Sequence, residues 1–147
     1  MDNAEIINPH FRILVVDDCE PWRRKIRWML QQQMKLEVVG EASNGLEAVQ
    51  KARELQPNLI LLDIGLPNLN GLDAARLIRT QSPESKILFL SQESEADILQ
   101  EGFAIGARGY VVKMDVVREL LSAVARVLRG DVFVGTRFAG VHFEQHV

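Results

Sequence analysis

One stretch constrains this chain more than any other: Leu59-Ile60-Leu61-Leu62-Asp63-Ile64-Gly65-Leu66-Pro67. It is an apolar run broken by a single carboxylate and bounded by Pro57-Asn58 before and Gly65 and Pro67 after. A run of this length between turn residues reads as a strand buried on both faces, the pattern of a parallel sheet covered by helices. An isolated carboxylate inside such a strand would be costly to bury. Asp63 is therefore expected at the strand's carboxyl end, where open parallel sheets bind their ligands. Capping of the following loop or helix is the plainer role for the same residue.

The same unit recurs along the chain. Phe11 to Val16 reads as a first strand and ends in Asp17-Asp18. Pro21 then suits the first turn of a helix whose apolar stripe is Trp22, Ile26, Met29 and Leu30. Glu37 to Ala42 is a second strand, and Leu46 to Leu55 has helical periodicity. After the third strand, Asn68 to Gly71 is a turn and Leu72, Ala75, Leu77 and Ile78 mark a helix that stops near Ser82-Pro83. Lys86 to Leu90 is a fourth strand ending in Ser91, and Ser94 is the expected N-cap of the next helix. Tyr110 to Val112 is a fifth strand ending in Lys113; Asp115 can cap a last helix, which Gly130 stops.

Strand and helix alternating five times imply an α/β fold: a doubly wound, five-stranded parallel sheet with right-handed crossovers. The order 2-1-3-4-5 suits a chain of 147 residues. That order puts Asp17 and Asp18 beside Asp63 at the switch point, with Ser91 and Lys113 along the same edge. Three carboxylates repel one another, and a hard divalent cation relieves the repulsion. A lysine is a point charge suited to phosphoryl oxygens, and an aspartate can act as a nucleophile and become an aspartyl phosphate. Phosphoryl transfer needs positioning and charge neutralisation of this kind. Taken singly, each residue also has an ordinary role: Asp17-Asp18 as helix caps, Ser91 as a turn residue, Tyr110 as core, Lys113 as a solvated strand end.

Composition narrows the classes. Lys plus Arg number 17 against 20 Asp plus Glu, a formal charge of -3, which leaves no basic footprint for nucleic acid. The single cysteine, Cys19, cannot form an intramolecular disulfide and fits a reducing compartment. Cys19 reads as a buried or half-buried loop residue. No apolar run reaches spanning length, and Met1 to His10 lacks the features of a signal peptide, so the chain reads as a soluble cytoplasmic domain without a membrane partner. His10, His142 and His146 lie in the terminal segments and form no metal-ligand pattern.

The set Val16-Asp17-Asp18, Leu62-Asp63 with Pro67, Leu90-Ser91 and Gly109-Tyr110-Val111-Val112-Lys113 resembles the receiver domain of two-component response regulators, the CheY-like superfamily. Within it the chain looks most like receivers of LuxR-type (NarL/FixJ-like) regulators, and the resemblance spans about Phe11 to Gly130. It implies a flavodoxin-like (βα)5 three-layer sandwich. It implies phosphorylation of Asp63 by a sensor histidine kinase or a phosphotransfer protein. It further implies Mg2+ (or Mn2+) on Asp18, Asp63 and the Gly65 carbonyl, with Asp17 acting through metal-bound water. Lys113 matches the family's invariant lysine, and Ser91 and Tyr110 match its switch pair. Such a chain is a phosphoacceptor, with slow self-dephosphorylation at most, rather than an enzyme. Its switched surface would be the fourth helix, fifth strand and fifth helix, which in the family often mediates homodimerisation or partner docking.

Two positions depart from common family forms: Met114 follows Lys113 where many members carry a cis-proline, and Gln92 follows Ser91 where a small residue is usual. Trp28 falls off the apolar face of the first helix, either as a partner anchor or as an ordinary exposed residue. The domain division is residues 1–10 as lead-in, 11–130 as receiver and 131–147 as a tail or the start of a linker. Within the tail, Asp131 to Gly135 could add a short extended piece. The remaining residues are too few for a helix-turn-helix. The alternatives are therefore the receiver portion of a longer DNA-binding transcriptional regulator, or a receiver-like interaction module that is not phosphorylated. A haloacid dehalogenase-type phosphatase would want a second Asp where Gly65 stands. A flavodoxin-like cofactor binder would want a glycine- and hydroxyl-rich loop where Asp17-Asp18-Cys19-Glu20-Pro21 stands.

Overall fold

The computed structural model describes residues 10–140. Most of the lead-in and the last seven positions of the tail, with His142, Phe143 and His146, lie outside the described residues. The strands are β1 (Phe11–Val16), β2 (Leu36–Ala42), β3 (Leu59–Leu62), β4 (Lys86–Ser91), β5 (Gly109–Val112) and β6 (Phe133–Val134). The helices are α1 (Glu20–Gln31), α2 (Gly45–Leu55), α3 (Gly71–Gln81), α4 (Ala96–Ile105) and α5 (Val116–Leu128). Short 3-10 turns cover Lys113–Asp115 and Thr136–Phe138.

The sheet order is β2-β1-β3-β4-β5-β6, and every pairing is parallel. The expected order 2-1-3-4-5 is present, but the sheet has six strands rather than five. The additional strand pairs Gly109 with Phe133 and Tyr110 with Val134. Two residues are too few to give a strand period, so the sequence offered no more than an extended piece there.

Alternation along the strands divides the core into two layers. Ile13, Val15, Leu59, Leu61, Leu88, Leu90 and Val111 pack against α1 and α5, where Ile26, Leu30, Leu120 and Val124 are buried. Leu14, Val16, Ile60, Leu62, Phe89 and Tyr110 face α2, α3 and α4 through Ala48, Ala52, Ile78, Leu99 and Phe103. Both faces of the central strands are therefore dry, which is why these strands read as unbroken apolar runs.

Three local expectations need correcting. The strand inside the 59–67 stretch stops at Leu62; Ile64 and Leu66 remain buried, but in a loop folded under the sheet edge. In that loop Leu66 N and Gly71 N both donate to Ile64 O, at 2.9 and 2.7 Å. Helix α4 takes Glu95 rather than Ser94 as its N-cap, without a side-chain capping bond. The preceding backbone is held at Glu93, as described below. Asp115 does occupy the N-cap position of α5 but caps nothing. Its carboxylate is taken by Arg137 and Arg118, whose charged donors outcompete a backbone amide.

Candidate functional site

Parallel strands deliver their last residues to one edge. Asp17 and Asp18 follow β1, Asp63 follows β3, Ser91 ends β4 and Lys113 follows β5. Because β1 pairs with β3 and β3 with β4, these residues come together without any long loop. Asp18, Asp63, Ser91 and Lys113 line a cleft of about 300 Å³ with Cys19, Trp22, Gly65, Gln92 and Glu93, and Asp17 lies behind it against Lys113. Asp17, Asp63, Ser91 and Lys113 are buried, whereas Asp18 is exposed at the rim.

Lys113 is the hub. Its Nζ lies 2.7 Å from Asp17 Oδ2 and 3.2 Å from Asp63 Oδ2. The Trp22 ring centroid is 5.2 Å from the same nitrogen, a cation–π distance. Asp17 is further fixed by Cys19 N, which donates to its Oδ1 at 2.8 Å. Gly65 N donates to Asp63 Oδ1 at 3.3 Å. The loop after Asp63 turns so tightly that a Cβ on Gly71 would stand 2.0 Å from Asp63 O, so only glycine allows this closure.

Burial pushes the Asp63 carboxyl above the ordinary aspartate range; Lys113 opposes this and the Asp17 charge adds to it. For Lys113, burial works against the charge, but the Asp17 hydrogen bond and the charges of Asp63 and Asp17 outweigh it, so its pKa is raised. The cleft thus holds three acids against one amine, and the carboxylate oxygens of Asp17, Asp18 and Asp63 lie within 4.8 Å of one another. An all-oxygen set of this spacing could hold a hard cation such as Mg2+ or Mn2+. The exposed edge of Gly65, where a Cβ would meet nothing within 4 Å, leaves room on the same side.

Ser91 and Tyr110 both bond to Glu93, and the Ser91 side chain also acts directly on the Tyr110 hydroxyl, opposing the effect of burial. Glu93 N donates to Ser91 Oγ at 3.1 Å, and Tyr110 donates its hydroxyl to Glu93 O at 2.9 Å. The Tyr110 ring is fully buried, and burial drives its hydroxyl pKa far above the usual phenol value. No cis peptide bond occurs among the described residues, so Lys113–Met114 is trans.

Residues 13–125 match the model of the response regulator receiver domain. The chain belongs to this family. As a receiver it is similar to the response regulator GacA of Pseudomonas viridiflava, 34% identical over 128 residues, which covers 87% of this chain and 60% of that protein. It is also similar to the transcriptional regulatory protein LnrK of Bacillus subtilis, 34% identical over 121 residues, covering 82% of this chain and 55% of that one. Among solved structures, a LuxR-family two-component response regulator from Aurantimonas sp. SI85-9A1 superposes with a TM-score of 0.85 at 30% identity, over 88% of this chain and 93% of that chain. The receiver spans between 55% and 60% of the length of these two curated relatives.

Of the site residues expected from the sequence, Asp18, Asp63, Gly65, Ser91 and Lys113 line the cleft, Asp17 lies against Lys113, and Tyr110 stands behind Ser91 and Glu93. Trp22 was missed as a cleft residue because its helical spacing marked it as core. It is half-buried and does both, packing on the α1–α5 layer while its ring covers Lys113. Cys19 is half-buried in the loop after the acid pair, as read from the sequence. Trp28 is 63% exposed on α1. No helix among the described residues is long and apolar enough to cross a membrane.

Proposed function

We propose that this receiver accepts a phosphoryl group on Asp63 from the phosphohistidine of a sensor histidine kinase or phosphotransfer protein. A carboxylate oxygen of Asp63 attacks phosphorus, the P–N bond breaks and the imidazole leaves. The observation that carries the reading is the buried Asp63 carboxylate, tied to Lys113, at the floor of an open cleft with two further acids beside it. Asp18 and Asp63, with the Gly65 carbonyl and with Asp17 through water, would hold Mg2+ or Mn2+. When bound, that cation supplies charge neutralisation for the phosphoryl oxygens. Lys113 would bind one of those oxygens and the Ser91 hydroxyl another.

Phosphorylation then biases the surface formed by α4, β5 and α5, through Ser91 and Tyr110. The shared bonds of both residues to Glu93 support this route. That surface is proposed to mediate self-association or partner docking. The relatives' names and lengths favour a second statement about the parent protein: the receiver controls a DNA-binding regulator, with nucleic acid bound elsewhere than in this chain.

The test is intact-mass analysis after incubation with acetyl phosphate and Mg2+, with Asp63→Asn in parallel. One phosphoryl adduct on the wild type alone, abolished by prior chelation, is the expected result. An adduct that survives Asp63→Asn, or none on the wild type, overturns the reading and leaves the interaction module standing.

A further inference from the structure

The segment 131–140 after α5 is not a loose exit from the domain. It is fastened at four places. β6 pairs with β5, and Phe133 N donates to Arg108 O at 2.9 Å. Thr136 donates through both N and Oγ1 to Glu119 Oε2 on α5, at 3.0 and 2.9 Å. Arg137 grips Asp115 through two nitrogens, at 2.9 and 3.0 Å. Phe138 is buried with its ring edge-on to Tyr110, the centroids 5.6 Å apart. The fit is tight as well as extensive: a Cβ on Gly135 would stand 2.6 Å from Glu119 Oε1, a buried oxygen with no hydrogen-bond partner.

We infer that residues 131–140 form a latch on the β5–α5 edge that is loosened when the cleft is phosphorylated, with Phe138 reading the state of Tyr110. The inference rests on the phosphoacceptor reading of Asp63. The route consists of contacts already described. Ser91 Oγ accepts from Glu93 N, and the Tyr110 hydroxyl is held by Glu93 O. A phosphoryl group on Asp63 offers the Ser91 hydroxyl proton a charged acceptor, a bond strong enough to turn the side chain and draw its Oγ away from Glu93 N. As Ser91 turns toward the cleft, Glu93 N loses its acceptor and the 92–95 loop is freed. The Tyr110 hydroxyl then loses its anchor, and the ring that supports Phe138 is no longer fixed. Because β6 has only two residues, its hold on β5 depends on the side-chain contacts at 136–138. The outer edge of β5 is occupied by the chain's own tail until the switch moves, so pairing there by another chain follows latch release.

Linkage makes the coupling reciprocal, so both directions are measurable. The probe is beryllofluoride with Mg2+, a phosphoryl mimic, with its binding followed by the fluorescence of Trp22 beside Lys113. Amide exchange at Phe133 and Thr136 reads the latch. On saturation, exchange at both amides is expected to rise about tenfold or more, as local opening becomes easier. Gly135→Ala, which crowds Glu119, is expected to bind beryllofluoride about fivefold more tightly than wild type, a normal size for coupling between sites. Tyr110→Phe keeps the ring but removes the bond to Glu93, and its latch exchange is expected not to respond to the mimic. Saturation with unchanged or slower exchange at Phe133 and Thr136 overturns the latch, as does a full response in Tyr110→Phe. If the wild type does not bind the mimic at all, the phosphoacceptor reading fails, and Ser91→Ala then judges the latch: faster exchange at Thr136 upholds the route through Glu93, and unchanged exchange ends it.

Discussion

Two clusters of acids and bases stand near each other in this receiver, and they are built in opposite ways. At the cleft, Asp17, Asp18 and Asp63 share one amine, and burial holds the Asp63 carboxyl above its ordinary range. Under the tail, Asp115 alone has two guanidinium groups, Arg137 and Arg118, and the Arg137 hydrogen bond holds it below the ordinary range. The first cluster is short of positive charge and opens to solvent. The second is saturated and closed over by 131–140. A charge deficit facing a cleft is a place for a ligand, whereas a satisfied cluster under a strap is a fastening.

The comparison is broken most severely by removing the amine. Lys113→Met keeps the aliphatic stem but leaves Asp17 and Asp63 buried without a cation, and urea denaturation in metal-free buffer should show a loss of about 3 kcal/mol, the low end for breaking a buried pair. A loss near that of a surface pair would mean the acids are already hydrated.

Metal supplies the next largest effect. At a Mg2+ concentration about a hundred times the Kd, the wild type should gain about 2.7 kcal/mol of stability. Asp18→Asn should lose most of that gain, and Asp115→Asn none of it. An equal loss in both variants would erase the distinction between the clusters.

At the fastening, Asp115→Asn should cost about 2 kcal/mol, because it weakens charged hydrogen bonds to Arg137 and Arg118. Arg118 is 70% exposed, so Arg118→Ala should change stability by less than about 0.5 kcal/mol. Chemical denaturation of the two variants side by side gives the ratio.

The smallest effect is in pH dependence, where the clusters carry opposite signs. Asp63, raised above the ordinary 3.8, binds more protons folded than unfolded, so its contribution to stability falls as pH rises from about 3.8 through its folded value. Asp115, held below 3.8, contributes stability that is present above that value and lost as pH falls through its folded pKa. Metal-free Asp63→Asn should therefore be more stable than wild type at neutral pH, with the difference closing below about pH 3.8. A widening gap in acid would reverse the assignment.

The cleft was legible in the sequence because both faces of its strands are buried. Runs such as Ile13 to Val16 and Leu59 to Leu62 carry no polar residue, so Asp17, Asp63 and Lys113 stand out where each run ends. Parallel pairing then brings those ends together. Trp22 was hidden because one side chain serves both the core and the cleft. Ser94 looked like a helix cap because capping propensity is local, whereas α4 starts after Glu95 with no side-chain cap.

By itself the sequence determined the alternation of strand and helix and the polar residues at the strand ends. These depend on periodicity and on residue type at run ends, which are local properties, and the central strand order followed only as the common doubly wound arrangement for that alternation. Only the tertiary structure decided the sixth strand, the grip of Arg137 on Asp115, the bond of Thr136 to Glu119 and the seat of Phe138 on Tyr110. Those partners are separated along the chain by most or all of α5 and have no repeat to mark them. A few specific contacts, each worth about 1 kcal/mol, hold a segment that has no hydrophobic period of its own. Their existence depends on where α5 delivers the chain, and that is fixed only once the sheet and both core layers have formed.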